Sequence, residues 1–318
     1  MRKIIYFILF FLVINIVVAQ EFNDYKSLEI ESKFSSKLKL DYLEDNYKLD
    51  YVTANLTFFP RNNEFQNADN KFLSNPNAKI TFNDNFILYR WDNPGGNELQ
   101  YNLNSNIKTQ INFKRIKEKI EFPIDENDIK ELKDYIKESP TVTSNDPEIR
   151  KKAAELAQGE DDLFIVVHKI GEWTKENINY SLETLTEDVS QNSSWVLQNK
   201  RGVCDELTSL FVAMLRSINI PARFVTGQAY TNVISGFGNH AWAEVYFPGY
   251  GWIPFDPTYG QLGYVDATHI TMRDSLDIKE SSVNYAWRSY RVEISSSKLN
   301  IQSNVTGKND LYKENVKL

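Results

Sequence analysis

Cysteine is all but missing from this 318-residue sequence, with Cys204 the single thiol. One cysteine cannot close an intramolecular disulfide, so no covalent framework staples the fold. Histidine is nearly as scarce: His168, His240 and His269 are the complete set. No compact C-x-x-C or H-x-x-x-H unit occurs. A metal set drawn from Cys204, His240, Asp256 and His269 therefore rests on ligand types alone, and no metal or cofactor is expected. Basic clusters are missing too, and the net charge is −7, which argues against a nucleic-acid footprint. No internal repeat is evident.

Composition is otherwise that of a globular protein, 42% hydrophobic and 25% charged, in a chain long enough for two domains. Arg2-Lys3 is followed by an apolar run from Ile4 to Val18 and by small residues at Val17-Val18-Ala19. Residues 1–19 read as a secretory signal peptide or, since the run nears the lower limit for spanning a bilayer, as an uncleaved anchor. Losing them removes two cations and no acid, which takes the charge from −7 to −9. Either way the remainder is expected outside the cytoplasmic membrane, secreted or anchored at its outer face. Membrane contact is expected only through that segment. An unpaired thiol in an exported chain is a liability unless it is buried or used.

Residues 20–123 contain no Cys or His and alternate with period two. Val52, Ala54, Leu56 and Phe58 form one such row, and Leu99, Tyr101 and Leu103 another. Ile107, Thr109, Ile111 and Phe113 form a third, after a polar turn. This predicts a small antiparallel sandwich, a structural or binding accessory domain. Helices are expected from residue 124: one capped by Asp125 and ending before Pro140, one capped by Asn145 or Asp146, and one over about Asp161 to Ile178. Leu207, Leu210, Phe211, Met214 and Leu215 put an apolar stripe on a further helix that opens near Cys204. Strands follow at Ala222–Tyr230, Ala241–Phe247 and Trp252–Phe255, taking this second domain to about residue 290. Residues 291–318 read as a β-rich or disordered tail.

Cys204, His240 and Asp256 stand in the order nucleophile, base, orienter. A thiol attacking an acyl carbon needs a base to take its proton and a carboxylate to fix the imidazole tautomer. A free thiol titrates near about 8.5, and a helix start with a protonated imidazole beside it would favour the anion. Asp205 and Glu206 oppose this locally. His168 lies in an apolar helix and reads as structural. His269 lies beyond the trio, with lining the cleft as its functional reading. Trp242 and Trp252 read as packing. The backbone N–H of Cys204 is the natural oxyanion donor; Trp195, Gln198 and Asn199 precede it without identifying a second.

Several segments from Trp195 to Tyr259 resemble the core of the transglutaminase-like superfamily, which is related to papain-like cysteine proteases. They are the Gly202-Val203-Cys204 entry, the run Leu215 to Arg223, His240-Ala241-Trp242-Ala243-Glu244-Val245, and Gly251-Trp252 up to Asp256-Pro257-Thr258. The resemblance implies an α+β class: a nucleophile-bearing helix on an antiparallel sheet, here preceded by an all-β sandwich-like domain. It implies an acyl-transfer enzyme working through a thioester on Cys204, with His240 moving the proton and Asp256 holding His240. Water as acceptor would make it a peptidase or amidase, and an amine would make it a cross-linker. The expected partner is a protein or peptide substrate, including cell-envelope protein. The alternative is a catalytically unused module that binds proteins or the envelope.

Overall fold

Alternating apolar residues make long strands here, and the strands pair across almost the whole chain. The structure is a computed structural model describing residues 22–186, 190–231, 234–278 and 283–311, so the expected signal segment at 1–19 lies outside the described residues. The first six strands are β1 (Tyr25–Tyr42), β2 (Lys48–Leu56), β3 (Gln66–Asn75), β4 (Lys79–Phe82), β5 (Ile87–Asp92) and β6 (Glu98–Gln110). Helices α1 (Pro147–Ala157), α2 (Leu163–Asn177), α3 (Ser193–Asn199) and α4 (Cys204–Ser217) follow. Then come β7 (Ala222–Thr231), β8 (Gly236–Phe247), β9 (Gly251–Asp256), β10 (Ile270–Ser275), β11 (Val283–Tyr290), β12 (Val292–Ser296) and β13 (Asn300–Leu311).

The sandwich has two sheets. One runs β12–β1–β6–β3, with β13 also on β1; the other runs β11–β2–β5–β4. Their inner faces bury Leu28, Phe34, Val52, Tyr89, Tyr101 and Leu103 in one apolar core, because residues two apart in a strand share a face. The tail is therefore no separate unit. Strands β11 to β13 belong to the same sandwich as residues 25–110, which moves the module's second boundary from 291 back to about 283. The expected polar turn before Ile107 is also absent, since Glu98–Gln110 is one unbroken strand.

In the second unit, α4 lies between α1–α3 on one side and the sheet β9–β8–β7–β10 on the other. The sequence showed an apolar stripe on α4, yet every residue from Glu206 to Arg216 is buried. Small hydroxyls make the second face compatible with burial. Thr208 donates to the Ala241 carbonyl at 3.1 Å, and Ser209 donates to the Thr141 carbonyl at 2.6 Å. The caps of α1 and α2 come from Asp146 and Asp162, each accepting backbone N–H groups of its own first turn. The helix expected after Asp125 is instead a 3-10 turn, Lys130–Ile136, kinked at Leu132. None of its residues is buried, so little packing holds a regular helix there.

The two units share a wall. Ala267, Ile270 and Met272 follow β9 in sequence but pack into the sandwich core. Thr109 of β6 donates a short hydrogen bond, 2.5 Å, to the Ala267 carbonyl.

Candidate active site

Cys204 is the first residue of α4, so its N–H has no intrahelical acceptor. Glu206 fixes this helix end: one carboxylate oxygen accepts the Val203 N–H at 2.9 Å, the other the Gln191 N–H at 2.9 Å. Asp205 accepts a hydrogen bond from the Ser190 hydroxyl. Burial pushes the Asp205 carboxyl up, with Ser190 opposing. The two acids expected to work against a thiolate are thus each engaged by local hydrogen-bond donors.

His240 lies inside β8, a little further along the strand than its first residue, and Asp256 is the last residue of β9. Strands β8 and β9 are paired neighbours, and their register brings His240 Nε2 to 2.9 Å from Asp256 Oδ2. Cys204 and His240 line the same cleft and Cys204 helps to raise the imidazole, so with Nε2 committed to Asp256 the Nδ1 edge is the one left for the thiol. The three residues named from sequence therefore meet in space, in the order thiol, imidazole, carboxylate.

Burial opposes a charge on His240, but the Asp256 carboxylate, reinforced by Cys204, outweighs it and holds the imidazole up at about 10. Asp256 is fully buried, and burial alone would raise it; His240 and His269 instead hold it far below the usual carboxylate range. Its second oxygen accepts the N–H groups of Thr258 at 2.7 Å and Tyr259 at 3.1 Å. The Tyr259 ring stacks on His240, with centroids 4.6 Å apart. Asp256, read from sequence equally well as a turn residue, serves the turn and the imidazole at once.

The cleft over Cys204 encloses about 470 Å³. The second unit contributes Tyr180, Asp205, Asn239 and His240, while the sandwich contributes Phe58, Val283, Leu299 and Ile301. Sequence reasoning missed these wall residues because three of the four come from strands or turns after residue 282. It missed Tyr180 as well. Tyr180 lines the cleft while 55% exposed, and partial burial together with the neighbouring Cys204, Asp205 and Asp256 raises its phenol above the usual range. Gln198 and Asn199 are exposed and do not line the cleft. Trp195 packs on the helical core, and Trp252 lies against Tyr135, Tyr246 and Arg223. His269 is no cleft-lining residue: it is buried behind Asp256, 3.3 Å from Oδ2. His240, Asp256 and His269 offer ligand atoms all within 4.8 Å of one another. Both histidines hydrogen-bond to the same carboxylate oxygen, Asp256 Oδ2.

The family model described as the transglutaminase-like superfamily matches residues 150–257, the segment that holds all three residues. That segment is a transglutaminase-like core, and the α+β class read from sequence holds. Protein YebA of Bacillus subtilis is 31% identical over 147 residues, covering 41% of this chain and 19% of YebA. The protein-glutamine gamma-glutamyltransferase of Pseudomonas aeruginosa is 26% identical over 122 residues, covering 36% of this chain and 18% of that protein. The chain thus spans about a fifth of the length of these curated relatives. A crystal structure of a proposed cysteine protease from Cytophaga hutchinsonii superposes with a TM-score of 0.59 at 18% identity. It covers 89% of this chain and 94% of its own, so the similarity in fold extends to the sandwich.

Proposed function

We propose that this chain is an exported, cysteine-dependent acyl-transfer enzyme acting on peptide or glutamine amide bonds, with Cys204, His240 and Asp256 as its catalytic residues. The observation that carries the proposal is that Cys204 and His240 line one cleft, with His240 hydrogen-bonded to a fully buried Asp256. Cys204 gives its proton to His240 and attacks the carbonyl carbon, forming a C–S bond. The oxyanion sits by the Cys204 N–H, and Tyr180, on the wall of the same cleft, is the candidate for a second donor. His240 then protonates the departing nitrogen as the C–N bond breaks. In the second half His240 takes a proton from water or an amine, whose attack releases the acyl group and regenerates the thiol.

Phe58, Leu299 and Ile301 favour an apolar side chain on the acyl part of the substrate, since burying one there removes apolar surface from water. A protein or peptide of the cell envelope is the partner that fits an enzyme exported by residues 1–19.

The test is mass spectrometry of glutamine-containing peptides incubated with the protein, with and without a primary amine. A 1 Da gain at glutamine, an amine adduct or a cleaved backbone would each support acyl transfer and would identify the acceptor. All three should vanish in Cys204→Ala. A wild-type protein that leaves every peptide unchanged would sink the reading.

A further inference from the structure

Behind the three residues lies a second histidine–carboxylate pair that the proposed reaction does not use. His269 is buried, with Nε2 3.3 Å from Asp256 Oδ2 and Nδ1 3.2 Å from Asp266 Oδ1. Asp266 is buried too, and donors surround it. Thr268 gives its N–H and its hydroxyl to Oδ1, while Gln261 and Asn23 give amide N–H groups to Oδ2. An ionised carboxylate only accepts hydrogen bonds, and a neutral imidazole donates from one nitrogen alone. Both ring nitrogens of His269 face carboxylates, so both must carry protons for the two contacts to be hydrogen bonds.

We propose that His269 is a fixed imidazolium and the positioning residue of this site: it bridges Asp256 and Asp266, locks the Asp256 carboxylate, and offsets its charge so that His240 can give up a proton. The last clause rests on the proposed function; the protonation state does not. The charged and titratable groups facing His269 are Asp256, Asp266, His240 at 5.6 Å between rings, and Tyr259 at 5.7 Å. Trp242 closes the remaining side edge-on at 5.1 Å. Burial works against the His269 charge, but hydrogen bonds to Asp256 and Asp266 outweigh it and hold the imidazole above its usual range. Without that cation, Asp256 would act on His240 unopposed and bind its proton too tightly for easy transfer to a leaving group.

With three histidines in the sequence, nitrogen-15 NMR of the imidazoles can follow each ring in the full exported chain, and single His→Gln variants assign the signals. His269 should show both nitrogens protonated throughout the neutral range. In His269→Gln, loss of the neighbouring cation should raise the pH at which His240 deprotonates by about one unit. His269→Lys, which keeps a charge, should restore a value close to the parent's. The rate of Cys204 alkylation by iodoacetamide should follow the same shift, a readout that needs no substrate and survives even if no acyl transfer is found. A neutral His269 tautomer in the wild-type protein would overturn the proposal, and this holds even if the variants fail to fold. So would a folded His269→Gln variant in which His240 titrates unchanged.

Discussion

At the scale of single residues, His240 and Asp256 tie stability to pH with opposite signs. The folded value of His240 is raised to about 10, so its stabilising contribution is complete below an unfolded value near about 6.5 and is lost as pH climbs towards 10. Asp256 is depressed, so its contribution is complete above about 4 and is lost as pH falls. The thermal midpoint should therefore decline steadily between about pH 6.5 and 10. In His240→Gln that decline should flatten. Calorimetry across this range decides it, and equal slopes in parent and variant would remove His240 from the account. The trio was legible in sequence because it spans only 204–256, with Cys204 at a helix start, Asp256 at a strand end and His240 on the strand between them. His269 and Tyr180 were not legible. Their roles come from what the fold places opposite them, and neither local sequence carries a signal for that.

At the scale of elements, the site depends on how closely β7, β8 and β10 approach. Gly227 of β7 pairs with His240 on one side and Thr271 on the other, where the β10 register shifts. A Cβ at this position would lie 1.8 Å from the Ile270 carbonyl oxygen and 3.2 Å from the Trp242 ring. No backbone can absorb such an overlap without moving, so Gly227→Ala must push β10, and His269 just before it, away from the site. A loss of about 2–4 kcal/mol is expected, read as a lower midpoint in urea with the slope unchanged. An unaltered midpoint would mean that the strands separate more easily than this packing implies. The C-terminal end of α4 has its own fastener: the buried Arg216 donates to the carbonyls of Lys137, Ala222 and Leu276. The residue pattern placed Leu215 to Arg223 in a helix and strand, but nothing local to Arg216 announces that it gathers three separated segments.

At the scale of the molecule, the accessory domain and the core are less separable than alternation and helix signals alone imply. A fragment spanning residues 124–282 would hold Cys204, His240 and Asp256 but lose Phe58, Val283, Leu299 and Ile301 from the cleft. It would also expose Ala267, Ile270 and Met272, which are fully buried against the sandwich. The expected result is a fragment without a cooperative urea transition and without the alkylation rate of the full chain, checked by near-UV circular dichroism and iodoacetamide labelling. A sharp transition with the parent alkylation rate would show that the core stands alone. The sandwich was legible as alternating strands, but its closure was not. Partners as far apart as Ser27 and Asn309 leave no local trace, and β13 is exposed along much of its length.

That closure gives the fold a mechanical direction. Strands β1 and β13 run antiparallel from Tyr25–Leu311 at one end to Ser35–Asn300 at the other. Tension applied at residues 25 and 311 loads the ladder as a zipper, so each rung bears the force alone and opens before the next. The last rungs reached are Phe34–Ile301 and Ser35–Asn300, next to the apolar wall of the cleft. A chain pulled at these two points yields its outer hydrogen bonds at low force and keeps the wall above Cys204 until the peel is almost complete.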